Sequence, residues 1–230
     1  MKLLRHLPNV LTCCNLVCGS IGIISVTMGH AMVNEAITFV IAACLFDFLD
    51  GFAARALHVS SPIGKQLDSL ADMVSFGVFP AIVTYVVISS KIDIPHAYRF
   101  APLLLICFSA IRLAQFNIDE RQSDSFIGLP TPASALFMTG LWLLPEPIAT
   151  WASHPDVLVG ITIIVSFLLV APMKLFALKF RNFSWTDNKI RFTFILLAVL
   201  LLAGWQAGAI TLIILLYIAI SLVTRVLRVS

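Results

Sequence analysis

"FDFLDGFAARALHVSSPIGKQLDSLADMVSFG", residues 46–77, sets four aspartates, Asp47, Asp50, Asp68 and Asp72, inside a chain that is otherwise heavily apolar. The surroundings decide the fold. Of 230 residues, 60% are hydrophobic and only 12% charged, against about 25% charged in soluble globular domains. Apolar runs occupy residues 8–29, 33–56, 66–90, 97–116, 131–151, 157–177, 190–204 and 207–224, near the ~20 residues that cross a ~30 Å hydrocarbon core. The expectation is an all-α, polytopic membrane helical bundle of about eight transmembrane helices, forming a single domain over 1–230. Pro145 and Pro147 interrupt the fifth run, and the last two runs are short enough for a re-entrant hairpin.

Lys2 and Arg5 precede the first run as they would in a secretory signal, but the run is too long, carries Asn9, Thr12 and Asn15, and lacks a small-residue cleavage site. It is expected to be a retained helix. With a cytoplasmic N-terminus and eight crossings, both termini are cytoplasmic, and thirteen of the 15 Lys and Arg residues fall on that side. Lys91 and Arg99 alone fall outside, a strong positive-inside asymmetry. The net charge of +3 then belongs to helix flanks meeting anionic headgroups, not to a nucleic-acid surface. The five cysteines form no metal-ligand pattern and are expected as small buried hydrophobes.

Asp47 and Asp50 lie near the end of the second run, and Asp68 and Asp72 open the third. Spacings of three and four residues put each pair on one helix face. The connection is short, so the two helices are expected to be antiparallel neighbours with both pairs facing one cleft. A charge at the bilayer centre costs about 2.5–3.5 kcal/mol on insertion scales, so four carboxylates together need cations. Lys65 and Arg55 are too few. An all-oxygen donor set without His or Cys suits hard divalent ions, Mg²⁺ or Mn²⁺, and two fit the charge better than one. Gly51, Ala54 and Gly64 permit close backbone approach, and Arg55 offers a fork suited to phosphate. These features are open to two readings: a site for a bound diphosphate, or the pathway of a cation-coupled transporter.

Asp47, Asp50, Gly51, Ala54, Arg55, Gly64, Asp68 and Asp72 spell D-x2-D-G-x2-A-R-x8-G-x3-D-x3-D. This resembles the signature of the CDP-alcohol phosphotransferases, integral membrane enzymes of phospholipid synthesis. The stretches "LPNVLTCCNLVCGSIGI", "GKQLDSLADMVSFGVFPA", "IRLAQFN" and "FIGLPTPASA" are similar to the serine-using branch, the integral membrane phosphatidylserine synthases. Those stretches end near residue 135, and Gln115 stands where a basic residue is usual in the family.

The resemblance implies transfer of the phosphatidyl group from CDP-diacylglycerol to L-serine, with membrane lipids as surroundings, a homodimer as the assembly, and the site at the cytoplasmic face of a bacterial inner or cell membrane. It implies that Asp47 and Asp68 bridge two divalent cations, that Asp50 completes the first and Asp72 the second, and that Asp72 is the catalytic base. It implies CDP-diacylglycerol binding by Asn9, Thr12, Gly51, Ala54, Arg55, Ser61 and Gly64. Glycerol phosphate, an inositol phosphate or choline as acceptor remain open within the family. For the acceptor, Arg112 lies one turn inside the fourth run, where a cation either meets an anion or snorkels to headgroups. Lys65 and Asn117 are further candidates.

Overall fold

The computed structural model describes residues 3–59, 61–92, 94–119, 126–175 and 184–229. Lys2, Arg121, Lys179 and Arg181 of the charge asymmetry lie outside them. The chain runs through α1 (Leu7–Thr27), α2 (Ala36–Ala56) and α3 (Pro62–Asp72), then a π-helical turn (Met73–Val78) leading directly into α4 (Phe79–Ser89). It continues as α5 (Leu103–Ile118), α6 (Thr131–Gly140), α7 (Ile148–Ala152), α8 (Pro155–Val170), α9 (Trp185–Trp205) and α10 (Ala209–Val229). Among the described residues, five helical stretches are long and apolar enough to cross a bilayer: Leu7–Thr27, Val33–Ala56, Pro62–Ser89, His96–Ile118 and Asn188–Trp205. Pro155–Val170 and Ala209–Thr224 are shorter apolar helices. The protein is an all-α membrane bundle.

Two of the expected spans come out differently. The run 131–151 keeps a helix only over Thr131–Gly140, passes through a 3₁₀ turn at Leu141–Leu143, and resumes as the five-residue α7 beyond Pro147. Two prolines within three residues remove the donors that a continuous helix needs. The run 157–177 ends as a helix at Val170, just before Pro172, and Lys174–Leu175 instead pairs antiparallel with Phe126–Ile127. Gly128 makes this junction feasible: its φ is +78°, and a Cβ there would sit 2.2 Å from the Leu169 carbonyl oxygen. The cysteines also differ from expectation, since Cys13 and Cys107 are exposed and the other three only half-buried. Facing lipid, a thiol behaves as the small apolar group that it resembles in a core.

The connection after α2 is shaped by local chemistry. Ser61 caps α3, its Oγ accepting the Gly64 N–H at 3.0 Å, and Pro62 opens the first turn, where its missing donor is harmless. However, α2 and α3 barely touch. The helix that both pack against is α1, which lies along α2 and also contacts α3 and the π turn. The short loop therefore brings the chain back without closing the two helices on one another, and the gap between them becomes a cleft.

α1 reaches the α3–α4 stretch through glycines. A Cβ on Gly19 would stand 2.4 Å from Ser75 Oγ, and one on Gly22 2.5 Å from the Phe79 ring. Small residues allow helix backbones to approach where lipid provides no hydrophobic drive for association. Val26, Val40, Ala43, Phe76, Phe79 and Val83 complete this packed region, while a larger core formed around Ile88, Leu105, Met138, Leu158 and Leu169 joins α4–α6 to α8. Buried hydroxyls at Thr84, Thr139, Thr162 and Ser166 each donate to the carbonyl four residues earlier, so they carry no unmet polarity into the bundle.

Candidate active site

The N-terminus of α1, the C-terminus of α2, the N-terminus of α3 and the C-terminus of α5 converge at one end of the bundle. Asp50 precedes the end of α2 by six residues and Asp68 follows the start of α3 by six, which places both about 9 Å from the helix ends. Asp47 and Asp72 lie deeper. Each of Asp47, Asp50 and Asp68 offers a carboxylate oxygen, and these atoms all fall within 4.8 Å of one another. Of the four aspartates, Asp50 and Asp68 line the cleft described next, Asp47 joins their carboxylate cluster, and Asp72 lies outside that cluster.

Above these carboxylates lies a cleft of about 370 Å³, lined by Arg5, Pro8, Asn9, Thr12, Asp50, Gly51, Ala54, Val59, Ser61, Gly64, Lys65 and Asp68. Six of the seven residues assigned to the nucleotide lipid are among them. Arg55, the seventh, is exposed and does not line this cleft; its guanidinium lies over Gly51, with Nη1 3.7 Å from where a Cβ would be. The absence of side chains at Gly51 and Gly64 keeps the cleft open, and a Cβ on Gly64 would meet Asn9 Oδ1 at 3.2 Å.

Thr12 and Asp50 form the firmest link in the cleft. Both are buried, at 3% and 6% exposure, and Thr12 Oγ1 donates to Asp50 Oδ2 at 2.6 Å. One turn deeper on α1, Asn15 Nδ2 donates to Asp72 Oδ1 at 3.1 Å. α1 thus presents one polar residue to an acid of α2 and another to an acid of α3. Asn15 as a partner of Asp72 was not assigned from sequence; its signal was a series of polar residues, Asn9, Thr12 and Asn15, at three-residue spacing in an apolar helix. Arg5, Pro8 and Val59 carried no comparable signal.

Arg112 does not snorkel. It is 6% exposed, its guanidinium carbon lies 5.1 Å from the centroid of the Phe116 ring, and its Nε is buried with no hydrogen-bond partner. It stands close enough to Asp72 to interact with it electrostatically. Lys65 and Asn117 are committed to each other's neighbourhoods: Lys65 Nζ donates to the Asn117 carbonyl oxygen at 2.7 Å, and Asn117 Nδ2 donates to Ser69 Oγ at 2.7 Å. These two bonds fasten the end of α5 to α3. Phe48 and Phe52, 62% and 56% exposed and stacked with centroids 6.5 Å apart, face away from the bundle.

The donor set fits divalent cations. Three carboxylates from two helices supply hard oxygen ligands, and Asp68 Oδ1 is buried without a hydrogen-bond partner. An orphaned buried carboxylate oxygen is costly unless a cation completes it.

A membrane bundle with three clustered acids beneath a cleft belongs to the class of membrane proteins with an intramembrane site suited to cations. The sequence profile of the CDP-alcohol phosphatidyltransferase family matches residues 5–170, and the chain belongs to that family. Among similar proteins, the CDP-diacylglycerol–serine O-phosphatidyltransferase of Bacillus subtilis is 30% identical over 171 residues, covering 74% of this chain and 90% of that one. Its Helicobacter pylori namesake is 32% identical over 176 residues, covering 73% and 70%. The archaetidylserine synthase of Methanothermobacter thermautotrophicus is 34% identical over 143 residues, covering 60% and 58%.

Proposed function

We propose that this protein is a CDP-diacylglycerol–serine O-phosphatidyltransferase, working at the cytoplasmic end of a multi-pass bundle. The observation that carries the reading is the convergence of Asp47, Asp50 and Asp68 oxygens within 4.8 Å beneath a cleft bordered by Asn9, Thr12 and Gly51. The names of the relatives support serine as the acceptor, and the thirteen-to-two distribution of basic residues supports the sidedness.

Asp47, Asp50, Asp68 and Asp72 are the residues that hold two divalent cations, Mg²⁺ or Mn²⁺. When bound, such ions screen the diphosphate and stabilise charge on the departing CMP. Asn9, Thr12, Gly51, Ala54, Ser61 and Gly64 receive the cytidine diphosphate portion, with Arg5 and Arg55 adding positive charge at the cleft mouth, while the acyl chains stay in lipid. Thr12 holds Asp50 in place. Asp72 takes the proton from the serine hydroxyl as its oxygen attacks the lipid-bearing phosphorus. One P–O bond forms to serine and one breaks to CMP, so phosphatidylserine and CMP result without a phosphoenzyme. Arg112, charged, buried and close to Asp72, pairs with the serine carboxylate. Lys65 and Asn117 act on the acceptor indirectly, by fixing α5 and so Arg112 against α3. The assembly is a homodimer.

Purified protein with CDP-diacylglycerol, Mn²⁺ and labelled serine, glycerol phosphate, inositol phosphate or choline tests this reading. CMP release that depends on serine is the expected result. Release with a different acceptor would move the protein within its family, and cation flux in liposomes without CMP release would overturn the enzyme reading.

A further inference from the structure

We propose that Asn15 is a positioning residue for the reaction: by holding one oxygen of Asp72, it fixes how that carboxylate is turned in the site. The inference rests on the reading of Asp72 as the base.

Asn15 is fully buried in α1, and its Nδ2 meets Asp72 Oδ1 at 3.1 Å. A carboxylate can only accept, so the amide must turn its NH₂ towards it. That choice leaves Asn15 Oδ1 buried with no partner. Thus the side chain is oriented by Asp72, and not by its own need for hydrogen bonds. Asp72 Oδ1 is then tied to α1, which sets the plane of the carboxylate.

The backbone around this pair is clamped from the other side. Ser75 Oγ donates to the Asn15 carbonyl oxygen at 2.9 Å, in addition to whatever α1 itself makes of that carbonyl. Gly19, one turn on, leaves no room between α1 and Ser75. Ser75 belongs to the π turn that starts at the residue after Asp72. Such turns are rare and recur at functional sites. Asp72 and its partner are therefore fixed by contacts on both helices, Asn15 to Asp72 in one direction and Ser75 to Asn15 in the other. An amide that merely joined two membrane helices would have no need of an ionisable partner from the site.

Asn15→Asp keeps the shape but replaces the donor with an acceptor, and Asn15→Leu removes polarity at similar volume. Turnover, KM for both substrates, CDP-diacylglycerol binding and thermal unfolding in detergent would be measured for each, alone and combined with Asp72→Asn. Turnover should fall about 10- to 100-fold, the range for losing a residue that orients a functional carboxylate, with CDP-diacylglycerol binding and unfolding temperature close to wild type. Added to Asp72→Asn, neither change should lower the residual rate further, since the group being positioned is already gone. Turnover within twofold of wild type in Asn15→Asp, or a loss of turnover matched by lost nucleotide-lipid binding and stability in both variants, would overturn the inference. So would additive losses in the double variants. If Asp72→Asn alone turned over at near wild-type rate, the reading of Asp72 as base would fall, and this inference with it. Loss in Asp72→Asn without loss in the Asn15 variants would remove Asn15 only.

Discussion

Replacing Thr12 by valine removes one hydroxyl and almost nothing else, yet it should disable the cleft. Thr12 Oγ1 has a single proton and two acceptors nearby, Asp50 Oδ2 at 2.6 Å and the Pro8 carbonyl oxygen at 3.0 Å. The shorter contact is to the charged group, and the proton belongs there. Hydrogen bonds to charged groups contribute about 1.5–3 kcal/mol, equivalent to roughly 10- to 150-fold in an equilibrium or rate constant at 1.36 kcal/mol per factor of ten. Both partners are buried, so water cannot replace the lost donor. Asp50 is then free to turn away from Asp47 and Asp68, and the three-oxygen set loses its arrangement. The assay is CMP release in mixed micelles over a Mn²⁺ titration, with Thr12→Ser alongside. Thr12→Val should lower kcat/KM for CDP-diacylglycerol by roughly 10- to 150-fold and raise the Mn²⁺ requirement, whereas the serine variant, which keeps the donor, should recover most of the rate. A valine variant within twofold of wild type, or a serine variant as impaired as valine, would refute the role given to this bond.

Asp47→Ala should abolish Mn²⁺-dependent turnover, and an unchanged Mn²⁺ titration curve would remove Asp47 from the ligands. Arg112→Ala should raise the serine KM at least tenfold, about the 1.5–3 kcal/mol of a charge-assisted bond, with the CDP-diacylglycerol KM unchanged; equal effects on both substrates would show that Arg112 supports the fold instead. Gly22→Leu should destabilise the protein by about 1–3 kcal/mol or more, because even a Cβ there meets the Phe79 ring at 2.5 Å; thermal unfolding in detergent measures this, and an unchanged midpoint would deny the close α1–α4 approach.

The CDP-alcohol transferase family was legible early because the residues that carry its signature lie close together in the chain. The four aspartates, Gly51, Ala54 and Gly64 lie within twenty-six residues, and two helical periods suffice to aim them. What surrounds them was less legible. Lys65 and Asn117 stand in the sequence as further acceptor candidates, and the bond between them across 52 residues of sequence, which ties α3 to α5, had no signal in the chain. Arg112 could have served headgroups or the site, and the sequence gives no measure of its burial, which the fold puts at 6% exposure.

Hydropathy and spacing are local properties, and they were enough to determine a helical membrane protein, most of its long spans and the same-face pairing of its acids. Tertiary structure decided which side of each helix meets another helix. Lipid tails are as apolar as leucine, so an apolar helix carries no hydrophobic stripe to mark its partner-facing side. For that reason the placement of α1 against both α2 and α3, the Asn15–Asp72 bond across 57 residues, the π turn after Asp72 and the strand pairing of 126–127 with 174–175 emerged only once the chain was folded. The cleft itself belongs to this second group: the aspartates are written in the chain, but the space above them exists because α1 holds α2 and α3 apart.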